Sequence, residues 1–146
     1  IYPSMTGTTV LVATATRDAL ALTRAAYGAP SIDAAILRAL RDATPTAAEL
    51  WARGKQAALP VLKRHGATRL IAFGSRCRDD RHPGSDLDLA VDLPPERGMT
   101  AFFDLRDALA AALGVRVDLG SLPPTDSRLW KRIVSEGVAL VGPPPR

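Results

Sequence analysis

Gly74-Ser75-Arg76 and, after a short polar loop, Ser85-Asp86-Leu87-Asp88-Leu89 are the residues of this 146-residue chain whose types and spacing could do chemistry. Two carboxylates stand one residue apart where the apolar run Leu87–Val91 reads as a strand. Alternate residues of a strand point to the same face, so Asp86 and Asp88 project side by side. Neighbouring carboxylates repel unless a proton or a cation lies between them. A hard divalent cation such as Mg²⁺ suits oxygen ligands of that kind and commonly brings phosphates with it. Gly74 lets the backbone turn tightly and come close to a ligand. The amides after it, at the start of a short helix, would attract anions. Together these features read as a metal–nucleotide site; the bland alternative is a Gly-Ser turn with no ligand.

Several elements must hold these residues in place. Thr68–Phe73 reads as the strand entering the Gly-Ser turn, and Pro94-Pro95 closes the strand after Asp88. Thr100–Leu113 carries Phe102, Leu105, Leu109 and Leu113 at helical spacing, and Gly114 stops it before a strand over Val115–Leu119. Ser127–Glu136 is an amphipathic helix with Leu129 and Ile133, and Val138–Val141 is a last short strand before the tail Pro143-Pro144-Pro145. Upstream, Thr46-Ala47-Ala48-Glu49 is a capping-box pattern opening a helix with Leu50, Trp51, Leu59 and Leu62. Pro60 is expected to kink or restart that helix.

The pattern Gly74-Ser75-Arg76 followed by Ser85-Asp86-Leu87-Asp88-Leu89 resembles the signature of the DNA polymerase β-like nucleotidyltransferases, in particular their minimal nucleotidyltransferase branch. Either half alone would be weak; order, separation and flanking strands together are specific. The resemblance covers residues 57–143. It implies an α+β fold, a small mixed sheet flanked by helices. It also implies that Gly74, Ser75, Arg76 and Ser85 bind the nucleotide, with Arg76 neutralising phosphate charge. A third carboxylate from a neighbouring strand is required by the family pattern, and Asp118 in Val115-Arg116-Val117-Asp118-Leu119 supplies it. Asp86, Asp88 and Asp118 are then both the catalytic and the metal-binding set, with strand register deciding whether Asp118 meets the other two. The implied chemistry is in-line attack of a hydroxyl on the α-phosphate of a nucleoside triphosphate, ATP, with Mg²⁺ as cofactor and pyrophosphate leaving.

Short proteins of this branch resemble the antitoxins of HEPN-type ribonuclease toxins. The resemblance therefore implies transfer of AMP to a tyrosine of a toxin protein. Two other classes stand beside it: a non-catalytic antitoxin that binds its toxin and represses its own promoter, and a small-molecule nucleotidyltransferase.

Residues 5–43 read as a separate module. Thr8–Ala13 is β-prone, a helix opened by Thr14 or Thr16 carries Leu20, Leu22 and Ala26, and Gly28-Ala29-Pro30 breaks it. Ser31 caps a second helix with Ile32, Ile36, Leu37 and Leu40. Strand, helix, turn and helix in under forty residues resemble a ribbon-helix-helix module, which implies a homodimer through residues 5–43. The outward strand residues would be Thr9, Leu11 and Ala13, not the basic or amide side chains that read bases. Four arginines against three aspartates leave this stretch at only +1. Dimerisation is better supported than DNA binding. Residues 44–56 form a linker and helix start, Met5 reads as a natural start, and residues 1–4 as an expression remnant.

Composition narrows the classes further. An apolar fraction of 47% excludes a disordered chain. One cysteine, Cys77, allows no internal disulfide and fits a reducing cytoplasm. No apolar run nears the roughly twenty residues that span a bilayer, so no membrane is expected. The net charge of +4 is carried almost wholly by arginine, a phosphate-recognising side chain that also decorates solvated surfaces. Arg78, Arg81 and His82 either contact phosphates or keep the loop soluble. Asp92 reads as an exposed strand end, His65 as a helix C-terminal cation, and Trp51 and Trp130 as packing residues.

Overall fold

Short apolar runs in residues 69–73 and 87–92 form two antiparallel strands, and the rest of the domain is built on them. A computed structural model of the protein describes residues 14–146. The chain divides into two compact units, residues 1–40 and 41–146. The elements are α1 (Thr14–Ala26), α2 (Ile32–Ala43), α3 (Ala47–His65), β1 (Arg69–Phe73), β2 (Leu87–Asp92), α4 (Gly98–Leu113), β3 (Val117–Ser121), α5 (Arg128–Glu136) and β4 (Val138–Val141). Among the described residues no helix is long and apolar enough to cross a membrane.

In the first unit, the turn between α1 and α2 is tied by arginines. Arg38 Nη1 donates to Tyr27 O (2.7 Å) and Arg24 Nε to Ala29 O (3.1 Å). Ser31 caps α2 by accepting from Ala34 N. Leu22 and Leu37 lie exposed on these helices. The expected strand Thr8–Ala13, and the ribbon pairing it implies, lie outside the described residues.

The second unit holds one mixed sheet of order β3-β2-β1-β4 among the described residues. β1 pairs antiparallel with β2 and β4, whereas β2 and β3 run parallel. Leu87, Leu89 and Val91 alternate onto one face, where Leu50 and Leu62 of α3 and Leu105, Leu109 and Leu113 of α4 bury them. Each such side chain taken from water contributes about 1.5–3 kcal/mol. The opposite face is covered only in part: Trp130 and Ile133 of α5 pack on Ile71 and Ala90.

The capping box forms as the sequence requires, with Thr46 Oγ1 accepting from Glu49 N and Glu49 Oε2 accepting from Thr46 N. Of the kink or restart expected at Pro60, the restart does not occur: α3 is one continuous helix through Pro60 to a left-handed Gly66 cap. Pro60 lies on the exposed side, where water can take the carbonyl that its missing N–H leaves free. β3 begins two residues later than expected, at Val117, because Leu87 N bonds to Arg116 O and pairing starts there.

α3 and α4 approach closely at Gly54, where a β-carbon would lie 2.6 Å from Ala112 O and 2.7 Å from Leu113 Cδ2. Helix propensity alone makes Gly54→Ala stabilising by about 1 kcal/mol. Overpacking reverses the sign, so the variant is expected to lose about 1–3 kcal/mol in urea denaturation.

Candidate active site

Strand pairing decides the geometry of the acidic residues. In the parallel register of β2 and β3, Asp88 stands directly opposite Asp118, with Leu87 opposite Val117 and Leu89 opposite Leu119. Partners in register share a face, and Asp86, two residues before Asp88, belongs to that face too. This is the side away from α3 and α4, left uncovered where α5 ends. The apolar partners Leu87, Leu89 and Leu119 are buried on the other side.

Charge crowding is visible at Asp88. Burial, then the Asp118 carboxylate and, more weakly, Asp86 push its carboxyl above the usual range, against the opposing pull of Arg132 and Arg78. Asp86 leans toward the edge strand: its Oδ1 lies 2.9 Å from Arg116 Nη2. The same Arg116 Nη2 also donates to Gly84 O (3.4 Å). Asp86 Oδ1 is itself shielded from solvent and accepts no hydrogen bond. The three carboxylates therefore share a face without closing on one point, and among the described residues no ready-made cage of three metal-binding side chains exists. An all-oxygen donor set in which one carboxylate oxygen accepts no hydrogen bond fits a hard cation such as Mg²⁺, which completes its shell with water and phosphate.

Gly74 joins this cluster to the turn. Its φ of 76° and ψ of −161° belong to glycine, and a β-carbon there would collide with the Asp88 carboxylate. Ser75–Cys77 forms a single 3₁₀ turn, shorter than the helix start expected, closed by Cys77 N to Gly74 O and Arg78 N to Ser75 O. Ser75 is half-buried beside it.

Two residues expected at the nucleotide are buried and bonded within the loop. Arg76 is 4% exposed; its Nε and Nη2 donate to Ser85 O (3.1 and 2.9 Å) and its Nη1 to Pro45 O (2.9 Å). Ser85 is 7% exposed, and its Oγ accepts from His82 N. Both staple the loop that delivers Asp86, because a buried guanidinium must spend its donors on carbonyls. Arg81 likewise donates to Thr44 O and Arg78 O. Asp92 accepts from Thr68 Oγ1 at the exposed strand end. Cys77 packs partly buried on the main core, and burial, with Glu136 nearby, pushes its thiol up to about 11.

Arg132 and Glu136 of α5 also reach the turn, and the only signal of this in the sequence is their i, i+4 spacing on one helix face. Glu136 accepts from Gly74 N (2.9 Å), from Arg78 Nη1 (3.0 and 2.9 Å) and from Arg132 Nε (2.9 Å). Burial pushes the Glu136 carboxyl up, but the bonds from Arg78, Gly74 and Arg132 outweigh it and hold it below the usual range. Arg78, read as a loop solubiliser or a phosphate contact, thus lies beside the Gly-Ser turn.

The family model for polymerase β nucleotidyltransferases matches residues 59–144. A Methanocaldococcus jannaschii protein provisionally named a protein adenylyltransferase is 30% identical over 87 residues, 60% of this chain and 94% of its own. The protein adenylyltransferase MntA of Thermococcus cleftensis is 33% identical over 76 residues, 52% of this chain and 77% of its own. A solved structure provisionally described as a minimal nucleotidyltransferase is 36% identical with a TM-score of 0.52, covering 66% of this chain and 97% of that one.

The crowding at Asp88 has a stability consequence. A carboxyl raised in the folded state contributes stability below its unfolded pKa of about 3.9 and loses it as pH rises through the folded value. Asp88→Asn is therefore expected to melt above the wild type at pH 7 without metal, with the gap closing as the solution is acidified. Equal melting temperatures at pH 7 would contradict the crowding.

Proposed function

The chain belongs to the polymerase β nucleotidyltransferase family, and on that premise we propose that it transfers AMP from ATP to a tyrosine hydroxyl of a partner toxin, with Mg²⁺ as cofactor. The observation that carries the reading is the in-register pairing of Asp88 with Asp118 beside the glycine of the Gly-Ser turn. Asp86, Asp88 and Asp118 would hold the cation. Bound there, it supplies charge neutralisation at the entering and leaving oxygens.

The remaining work falls to the chain's own groups. Gly74 brings the backbone close to the triphosphate, with the Ser75 hydroxyl beside it. Arg78 and Arg132, both within electrostatic reach of Asp88, offset the charge of the departing pyrophosphate. Asp118, exposed on the edge strand, accepts the proton of the incoming hydroxyl as its oxygen bonds to the α-phosphorus and the bond to the β-phosphate oxygen breaks. Asp86 keeps 46% side-chain exposure, so the face is open rather than a closed pocket. That openness suits an acceptor presented by another macromolecule more than a small molecule needing enclosure. The names of the two archaeal relatives support a protein acceptor in the same direction.

The test is incubation with α-labelled ATP, Mg²⁺ and the protein encoded beside this chain, as candidate toxin. Label is expected on a toxin tyrosine. Asp88→Asn and Asp118→Asn are each expected to cut transfer by about two orders of magnitude or more while toxin binding persists. Binding of an authentic toxin without any transfer by the wild type would reduce the protein to an occluding antitoxin.

A further inference from the structure

One carboxylate ties the last helix to the nucleotide turn. Glu136 lies 62 residues from Gly74 in sequence, yet its Oε1 accepts the Gly74 amide at 2.9 Å. The same carboxylate gathers Arg78 from the loop and Arg132 from its own helix. Exposure is graded: the Glu136 side chain is 15% exposed, Arg78 35% and Arg132 50%. The acid therefore lies beneath and the guanidinium groups outside, so the surface offered beside the turn is cationic. Arg78 is shared with Asp80, but that partner is 62% exposed, and an exposed pair of this kind is weak enough to yield to an arriving phosphate.

Glycine at position 74 makes such a tether necessary. Its positive φ is held by no side chain of its own, and a glycine backbone has more conformations to lose than any other residue. A charge-assisted bond to its amide restricts the turn at the point where it abuts Asp88. Ion pairs preset the two guanidinium groups, so less rotamer freedom is lost when polyphosphate binds.

We propose that Glu136 is a positioning residue for nucleotide transfer: it locks the Gly74 turn and holds Arg78 and Arg132 toward the polyphosphate of the bound nucleotide. This assignment rests on the nucleotidyltransferase reading above. Glu136 itself touches neither substrate nor metal; it acts through the turn and the two arginines.

The experiment measures binding of AMP-PNP with Mg²⁺ by calorimetry, using the whole chain as wild type, Glu136→Gln and Arg132→Gln. Melting temperature and the ATP dependence of transfer are followed in parallel. Glu136→Gln keeps an acceptor for the Gly74 amide but loses the charge that draws in the arginines. It is expected to weaken AMP-PNP binding and raise KM for ATP by about tenfold, the scale of one charge-assisted bond, with kcat changed far less. Arg132→Gln, on a half-exposed side chain, is expected to weaken binding in the same direction with its melting temperature unchanged. A Glu136→Gln variant that binds as well as or better than the wild type overturns the assignment, the second case marking the carboxylate as a plug. Should Glu136→Gln melt early, Arg132→Gln decides alone, and unchanged affinity there overturns it. If the wild type itself binds no AMP-PNP, the nucleotide reading fails and takes this assignment with it.

Discussion

Like charge held together by strand register is the constraint on which this structure turns. Asp88 and Asp118 face each other across a parallel pair, and their backbones cannot separate without breaking the ladder that carries them; Asp86 lies just before it. Burial first and then the neighbouring Asp118 carboxylate displace the Asp88 carboxyl upward, and holding its charge there costs folding energy. The apolar face of the same strands offsets that cost. Leu87, Leu89 and Val91 lie within 1% of complete burial under α3 and α4. Because side chains alternate, Leu87 and Leu89, which anchor the sheet, set Asp88 between them on the opposite side. Core and site are two faces of one register.

Around this cluster the chain sorts its arginines by burial. Arg76 lies deepest and is spent on the carbonyls of Ser85 and Pro45, where desolvation, followed by the nearby Arg81, lowers its proton affinity. Arg81 closes the loop onto Thr44. Arg78 and Arg132 stay further out and meet Glu136. The same residue type thus acts as a staple where it is buried and as a mobile counter-charge where it is open, as its planar five-donor fork allows.

Two compact units divide the labour along the chain. The mixed sheet, its helices and the acidic face belong to residues 41–146. In residues 1–40, α1 and the start of α2 are joined by an arginine-tied turn. Leu22 and Leu37 are exposed there.

Local signals made much of this legible. The capping box at Thr46, the Gly114 stop, the helix from Ser127 to Glu136 and the apolar runs around residues 70 and 89 are short-range effects, and each appears within a residue or two of its expected place. So does the side-by-side projection of Asp86 and Asp88, which needs nothing beyond the strand repeat. What spacing could not decide was which strand lies next to which. The adjacency of β3 to β2, the delivery of Asp118 to its position, the burial of Arg76 and the reach of Glu136 to Gly74 all join residues nine or more apart. Those contacts arise only once apolar burial has closed the sheet against α3 and α4, because pairing across long loops is chosen by the whole core and not by the segment.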